Sequence, residues 1–308
     1  MIGLQQRYLG CLLGLACGDA VGTTVEFAPR GSFPPVTGML GGGPFSLRPG
    51  QWTDDTSMAL CLAESLLECG GFDLADQLRR YVRWWQHGHL SSTGECFDIG
   101  STVAGALYFH LRNGNLLADT DDPMMAGNGS LMRLAPVVLW FYPDVDRAVA
   151  HAACSSCTTH TAVEAVDCCR LLAKVICNAL EGKGKEDLLA GCVACLTEPA
   201  VQELAQGHYR HKTREQIFGT GYCVQSLEAA LWCVYNTGSF EQAILMAANL
   251  GDDADTTAAI AGQIAGALYG VEAIPKQWLS TLDQAGLIAG FAQRIHRQAT
   301  GAEGELAR

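Results

Sequence analysis

The sequence predicts an all-α fold, a single compact multi-helix domain over residues 1–308. Three observations carry that expectation. Long windows place apolar residues at helical spacing, no stretch alternates convincingly enough to be a strand, and two windows carry glycines four residues apart. The first of these holds Gly10, Gly14 and Gly18, and the last holds Gly262, Gly266 and Gly270. Glycine costs an isolated helix up to about 1 kcal/mol per position. Stripes of it therefore point to two backbones packed closely in a core. Between them, helical periodicity marks 56–69 ("TSMALCLAESLLEC"), 72–86, 100–112, 161–181, 185–196, 223–236 and 239–249, and the final stripe belongs to 255–270. The longest irregular connections, 29–50 and 113–129, are rich in Gly and Pro, and long loops inside a compact domain are often functional. Neither reads as a linker, because apolar helical sequence resumes on both sides without a charge run. The tail from about residue 299 is expected to fray.

Composition narrows the function. With 49% apolar and 17% charged residues, and 35 glycines spread along the chain, the 308 residues describe a compact globular protein large enough to bury a substantial core. The formal charge of -12, from 20 basic against 32 acidic residues, disfavours binding to a phosphate backbone, so no nucleic-acid partner is expected. Apolar runs are broken early by Gly, Asp or Arg, so no membrane-spanning segment of roughly 20 residues is expected. The opening "RYLGCLLGLACGDAVG" runs straight into Asp19, which argues against a signal peptide or lipid anchor. Fourteen cysteines without extracellular framework spacing fit a reducing compartment, and a cytoplasmic location is expected. Two C-x-x-C pairs, Cys154/Cys157 and Cys192/Cys195, raise the question of zinc. Residues 158–191 separate them by more than the usual roughly 15–20 residues, and both lie in Ala/Cys/Leu-rich helical text where i, i+3 merely places two small side chains on one face. Structural zinc is not expected.

Chemistry concentrates in two acid-rich helix starts. "QWTDDTSMAL" sets Thr53, Asp54 and Asp55 before an apolar helix, and "GDDADTTAAI" repeats the design with Asp253, Asp255 and Thr256. Each alone reads equally as an N-cap with acids in the first turn. Together they supply hard oxygen ligands whose repulsion would be severe unless cations bound between them. Without His or Cys, such a set suits magnesium, manganese or calcium rather than zinc. Two ions about 3.5–4 Å apart could share the central carboxylates and polarise a water. An isoprenoid-synthase reading fails, because Met58 stands where an Asp-Asp-x-x-Asp motif needs its last acid. "GNGSLMR" reads independently as a phosphate cradle, since Gly127 and Gly129 let backbone amides approach an anion and a helix starting nearby adds its positive end. Arg133 there pairs either with a phosphate or with a buried acid.

These segments, with "GCLLGLACGDAVGTTVEF" at 10–27, "FDIGSTVAGAL" at 97–107, "GNGSLMRLAP" at 127–136, "TTHTAVEAVDCCRLLA" at 158–173, "GTGYCVQSLEAALW" at 219–232 and "GDDADTTAAIAGQIAGALYG" at 251–270, run in an order that resembles the ADP-ribosylglycohydrolase family. The resemblance implies an all-helical fold with two magnesium ions, or manganese, at the mouth of a cleft, held by Thr53, Asp54, Asp55, Asp253, Asp255 and Thr256. Asp252 departs from the more usual glycine, which leaves its effect on the metals and on activity open. Catalytic roles fall by resemblance to Glu26, Asp98, Asp54 and Asp253. Glu26 sits on a loop that the family suggests is mobile, where it steers water or gates substrate, or is a plain surface glutamate. Asp98 lies by the ribose or caps the following helix. Asn128, Gly129, Ser130 and Met132 correspond to diphosphate contacts, His160 to a histidine beside the ribose, and Tyr222 to an aromatic stacked on adenine. The bland readings are a structural histidine and a core tyrosine. The expected activity is hydrolysis of the bond joining ADP-ribose to an acceptor, with arginine-linked ADP-ribose on protein first. Serine-linked ADP-ribose, a small-molecule ADP-ribose ester and a silent ADP-ribose binder are the alternatives.

Overall fold

The computed structural model describes residues 2–119 and 122–301, and among these the regular structure is helical, with only two isolated β-bridges. In chain order the helices are α1 (Leu4–Gly22), α2 (Asp54–Cys69), α3 (Leu74–His87), α4 (Ser101–Asn113), α5 (Ala135–Phe141), α6 (Val145–Ser156), α7 (Val163–Leu180), α8 (Pro199–Ala205), α9 (Cys223–Tyr235), α10 (Phe240–Ala248), α11 (Ala254–Tyr269), α12 (Lys276–Thr281) and α13 (Ala285–Thr300).

The glycine stripes do what their spacing implies. A methyl group on Gly10 would sit 2.2 Å from the Gly266 carbonyl oxygen, one on Gly14 2.4 Å from that of Gly262, and one on Gly18 2.1 Å from that of Ala258. As numbers rise on α1 they fall on α11, so the two helices run antiparallel with backbones touching. Arg7 locks the far end by donating to the carbonyls of Ala267 and Leu268 at 2.7 and 2.8 Å, in the last turn of α11. Around this pair the other helices bury one large apolar core that includes Leu12, Leu15, Leu172, Ile176, Phe240 and Ile264. A smaller cluster of Met58, Tyr81, Trp84, Val103 and Met132 packs α3 and α4 onto the outer face of α2. The two clusters place the starts of α2, α4 and α11 around one cleft.

Several expectations need correction. The window 185–196 forms two 3₁₀ turns, Lys185–Asp187 and Val193–Cys195, instead of a helix. Gly191 adopts φ +71°, and the Asn178 side chain captures the carbonyls of Leu188 and Ala190, so no continuous i to i−4 ladder forms. Helices α5, α6, α8, α12 and α13 lie outside the expected windows. Contrary to the interrupted-run argument, Leu4–Val25 is long and apolar enough, by length and composition, to cross a membrane; 89% of that window is buried against the rest of the protein. The segment is the core's central helix, its apolar surface already satisfied. Helix α13 continues through Thr300, and the tail expected to fray from about 299 lies, from 302 on, outside the described residues. The C-x-x-C cysteines are free thiols, and among the described residues the groups with metal-ligand spacing are all acidic.

Candidate active site

Asp19, on the last turns of α1, organises the start of α2. Its carboxylate accepts from the backbone N–H of Thr53 at 2.9 Å and of Thr56 at 3.0 Å, and from their hydroxyls at 3.0 and 2.6 Å. Thr53 stands at the N-cap but its own side chain caps nothing. A carboxylate from another helix thus satisfies the orphan amides and lies where the helix dipole is positive. The Thr53 hydroxyl is turned towards the acids, 3.3 Å from Asp55 Oδ2 and 3.4 Å from Asp255 Oδ2, and Thr256 Oγ1 lies 3.4 Å from Asp55 Oδ2.

The packing of α1 on α11 closes the cluster. Gly22 lies so close to α11 that a methyl group there would be 2.4 Å from the Asp255 Cα, which brings Asp255 beside Asp19 and Asp55. Ligand oxygens of Asp19, Asp55 and Asp255 all lie within 4.8 Å of one another, and those of Glu26, Asp98 and Asp255 form a second such group. Asp255 belongs to both. Burial, then mutual repulsion, drives these groups towards their neutral forms: Asp54, Asp55 and Asp255 titrate well above the usual carboxylate range. Glu26 is pushed up to about 9 by burial and by Asp98 and Asp253, and Asp98 to about 7 by burial and by Asp19 and Asp253. Burial raises Asp19 to about 6 against its four hydrogen bonds. Asp253 is raised by burial, although hydrogen bonds led by that of Asn128 oppose the shift. Among the described residues no Lys or Arg makes a salt bridge to these carboxylates. Asp55 Oδ1, Asp255 Oδ1 and Glu26 Oε2 are buried without a hydrogen-bond partner. Unpartnered carboxyl oxygens in two groups sharing a member fit hard divalent cations, whose charge would restore the ionised forms.

Beside the acids lies a cleft of about 350 Å³, within the range of small-molecule sites, lined by Glu26, Phe27, Asp98, Gly127, Asn128 and Thr256 among others. The glycine turn 127–133 forms one wall. Gly127 bridges to Tyr222, and the Asn128 N–H donates to the Gly221 carbonyl at 3.1 Å. The Asn128 side chain donates to Asp253 Oδ2 at 2.8 Å, so it steadies an acid. Gly129 and Met132 line the cleft, while the Ser130 hydroxyl faces inward, accepting from Ser156 at 2.8 Å. His160 lies behind the turn: methyl groups on Gly127 and Gly129 would meet its ring at 3.2 and 2.9 Å. Burial, with Arg133 nearby, lowers its pKa to about 3, so it is neutral. Thr159 Oγ1 and His160 Nδ1 are 2.8 Å apart.

Arg133 fits neither reading offered by the sequence. It is 1% exposed and touches no carboxylate. Its guanidinium donates to the Gly129 carbonyl at 2.9 Å and to Thr159 Oγ1 at 2.6 Å, and stacks over Tyr81 at 4.8 Å. It braces the glycine turn and the histidine from beneath. Tyr222 is no core tyrosine; it is 36% exposed at the N-cap of α9, its hydroxyl 3.2 Å from Glu164.

Glu26 is no plain surface residue either, being 5% exposed. Its loop is tied to the loop that bears Asp253: Phe27 N–H donates to the Asp252 carbonyl at 2.7 Å and Asp252 N–H to that of Ala28 at 2.9 Å. Arg30 adds donations to the carbonyls of Leu250, Arg214 and Ile217. Asp98 does not cap α4, whose N-cap is Gly100; it adopts φ +59° and faces the cleft. Asp19, the Asp252 latch and the support from Arg133 are the parts sequence reasoning missed. A lone acid inside a glycine-rich apolar helix was the available signal for the first.

Known proteins agree with this architecture. The profile of the ADP-ribosylglycohydrolase family matches residues 2–305. ADP-ribosylarginine hydrolase Tri1 of Pseudomonas putida (strain GB-1) is 48% identical over 95% of this chain and 78% of its own length. The ADP-ribosyl-[dinitrogen reductase] glycohydrolase of Rhodospirillum rubrum is 32% identical over 91% of each chain. A solved chain of an ADP-ribosylglycohydrolase-related protein complex superposes with a TM-score of 0.85 at 42% identity, covering 96% of this chain and 99% of that one. Since sequence and fold match across almost the whole length, this chain belongs to the ADP-ribosylglycohydrolase family, a family of hydrolases.

Proposed function

We propose that the protein hydrolyses the N-glycosidic bond between ADP-ribose and an arginine side chain of an acceptor protein, using two magnesium ions. The observation that carries this reading is the pair of buried acid groups sharing Asp255, with unpartnered oxygens, opening on a glycine-walled cleft. The Pseudomonas relative, an ADP-ribosylarginine hydrolase, supports the linkage, and the Rhodospirillum relative, a glycohydrolase of ADP-ribosyl-dinitrogen reductase, supports a protein acceptor.

Thr53, Asp54, Asp55, Asp253, Asp255 and Thr256 would hold the ions, with Asp19 keeping the start of α2 in place. When bound, the ions would neutralise the acids, polarise a water and attract the ribose hydroxyls. The remaining chemistry belongs to side chains and backbone. The glycine turn presents the amides of Gly129 and Ser130 to the diphosphate, with neutral His160 and Arg133 holding it from behind. The exposed ring of Tyr222 offers a face to adenine. Ligand oxygens of Glu26 and Asp98 lie within 4.8 Å of one another, so the two titrate as a pair. One member accepts a proton from the attacking water and the other protonates the departing guanidino nitrogen. The surrounding carboxylates stabilise the oxocarbenium-like transition state.

The test is release of free ADP-ribose, followed by mass spectrometry, from arginine-linked and serine-linked ADP-ribosylated proteins with magnesium or with a chelator. Release from the arginine-linked protein alone, abolished by the chelator, is expected. Release that survives the chelator would refute the metal mechanism, and release only from the serine-linked protein would refute the linkage.

A further inference from the structure

Three phenylalanines, two from the connection between α1 and α2 and one from that between α3 and α4, meet beside the cleft, which Phe27 helps to line. Phe27 follows Glu26 and Phe97 precedes Asp98, while Phe45 lies further along the same connection as Phe27. The ring centroids of Phe27 and Phe45 lie 6.4 Å apart, edge to face, and those of Phe45 and Phe97 lie 5.2 Å apart, tilted. Core packing does not account for Phe27, which is 65% exposed, while Phe45 and Phe97 are half-buried. Nor does relaxed backbone, since Phe27 adopts φ +61° and Asp98 φ +59°, a region that bulky residues rarely enter without an enforcing surround. The Asp252 carbonyl holds Phe27 in that conformation. The result is a partly open aromatic surface next in sequence to two carboxyl groups of the cleft.

We propose that Phe27, Phe45 and Phe97, with Glu26 and Asp98, form the acceptor subsite, and that it selects a planar cation, the guanidinium of the modified arginine. This rests on the hydrolase reading above and adds which residues choose the acceptor. A guanidinium is weakly hydrated and planar, so it stacks on aromatic faces while its N–H groups reach carboxylates. An acceptor joined through a serine oxygen offers neither plane nor charge. The strip therefore acts on the acceptor and leaves recognition of ADP-ribose alone.

The experiment compares wild type with Phe27→Leu and Phe45→Leu on arginine-linked and serine-linked ADP-ribosyl peptides, with binding of free ADP-ribose measured in parallel. Leucine keeps apolar bulk and removes the ring face. A cation–π contact corresponds to roughly 2- to 30-fold in affinity. We expect KM for the arginine-linked peptide to rise about tenfold in Phe27→Leu, free ADP-ribose affinity to stay within about twofold, and Phe27→Trp to retain the wild-type KM. Unchanged KM in both leucine variants, in a preparation whose wild type is active, overturns the subsite alone. A parallel loss of ADP-ribose affinity overturns it too, by showing that the ring merely supports the cleft. Wild type inert on the arginine-linked peptide overturns the hydrolase reading and this inference with it.

Discussion

Gly14→Ala should unfold the protein more easily and weaken its hold on metal, although alanine is the better helix former. The new methyl group would lie 2.4 Å from the Gly262 carbonyl oxygen and 3.0 Å from Phe240, where ordinary contact begins at 3.4 Å. The main obstacle is backbone of another helix, so no rotamer change relieves it; α1 and α11 must separate by about 1 Å. Overpacking of this kind costs about 3 kcal/mol at the upper end of its usual range, and the propensity gained returns about 1. The net loss of about 2 kcal/mol lowers Tm by roughly 3 °C in a chain of 308 residues. Because α1 carries Asp19 and α11 carries Asp255, the same separation widens the acid cluster, so magnesium affinity by calorimetry should fall with Tm. Gly105→Ala is the control: this glycine is also inside a helix, but its methyl group would meet nothing within 4 Å. It should stabilise by about 0.5–1 kcal/mol. A Gly14→Ala protein as stable as wild type, with full metal affinity, would refute the claim that the glycine contact sets the geometry of the acids.

Two further outcomes follow from the site. Asp19→Asn keeps the shape but turns one of the two accepting oxygens into a donor aimed at groups that already donate; each hydrogen bond to a charged group contributes about 1.5–3 kcal/mol. Magnesium affinity should drop at least about tenfold, and wild-type affinity in that variant would remove Asp19 from the site. In chelator, Tm should fall as pH rises from 7 to 9. Asp98 and Glu26 titrate near 7 and 9 when folded but near 4 when unfolded, so the folded state holds more protons in this window and loses that advantage as pH rises. His160 works the other way, its neutral form losing stability as pH falls below about 6.5, which is why the window starts at 7. Magnesium should flatten or reverse the slope, because metal displaces those protons. A chelated protein whose melting temperature rises between pH 7 and 9 contradicts the raised titration of Glu26 and Asp98.

The sequence made most of the long helices legible because their apolar spacing persists over several turns, though α6 and the 16-residue α13 escaped, and it made the two acid motifs legible because each stands out at the start of an apolar run. Short helices escaped for a physical reason. With seven residues each, and proline in their first turns, α5 and α8 offer too little length for a period to show. Asp19 escaped because its partners, Thr53 and Thr56, lie at the start of another helix, and a lone acid in an apolar helix does not by itself say what it binds. His160 was found as a motif but not as a position. Sequence order cannot say on which side of the glycine turn a ring will lie, and here the absence of side chains on Gly127 and Gly129 lets it press from behind.

Asp252 shows how a departure in side chain leaves the backbone requirement intact. Its φ of +56° is a conformation glycine adopts freely and aspartate tolerates better than most residues, so either can stand there. Its carboxylate belongs to neither acid group, whereas its N–H and C=O clasp Ala28 and Phe27. The clasp changes what the Glu26 loop can do. A loop that swung freely would leave Glu26 to find the other acids by chance on each turnover. Tied to Asp252, the residue before Asp253, it is coupled to the Asp253 loop. The positions of Glu26, Phe27 and Asp253 are thus linked by one pair of backbone hydrogen bonds, and a substitution that disturbed them would act on all three together.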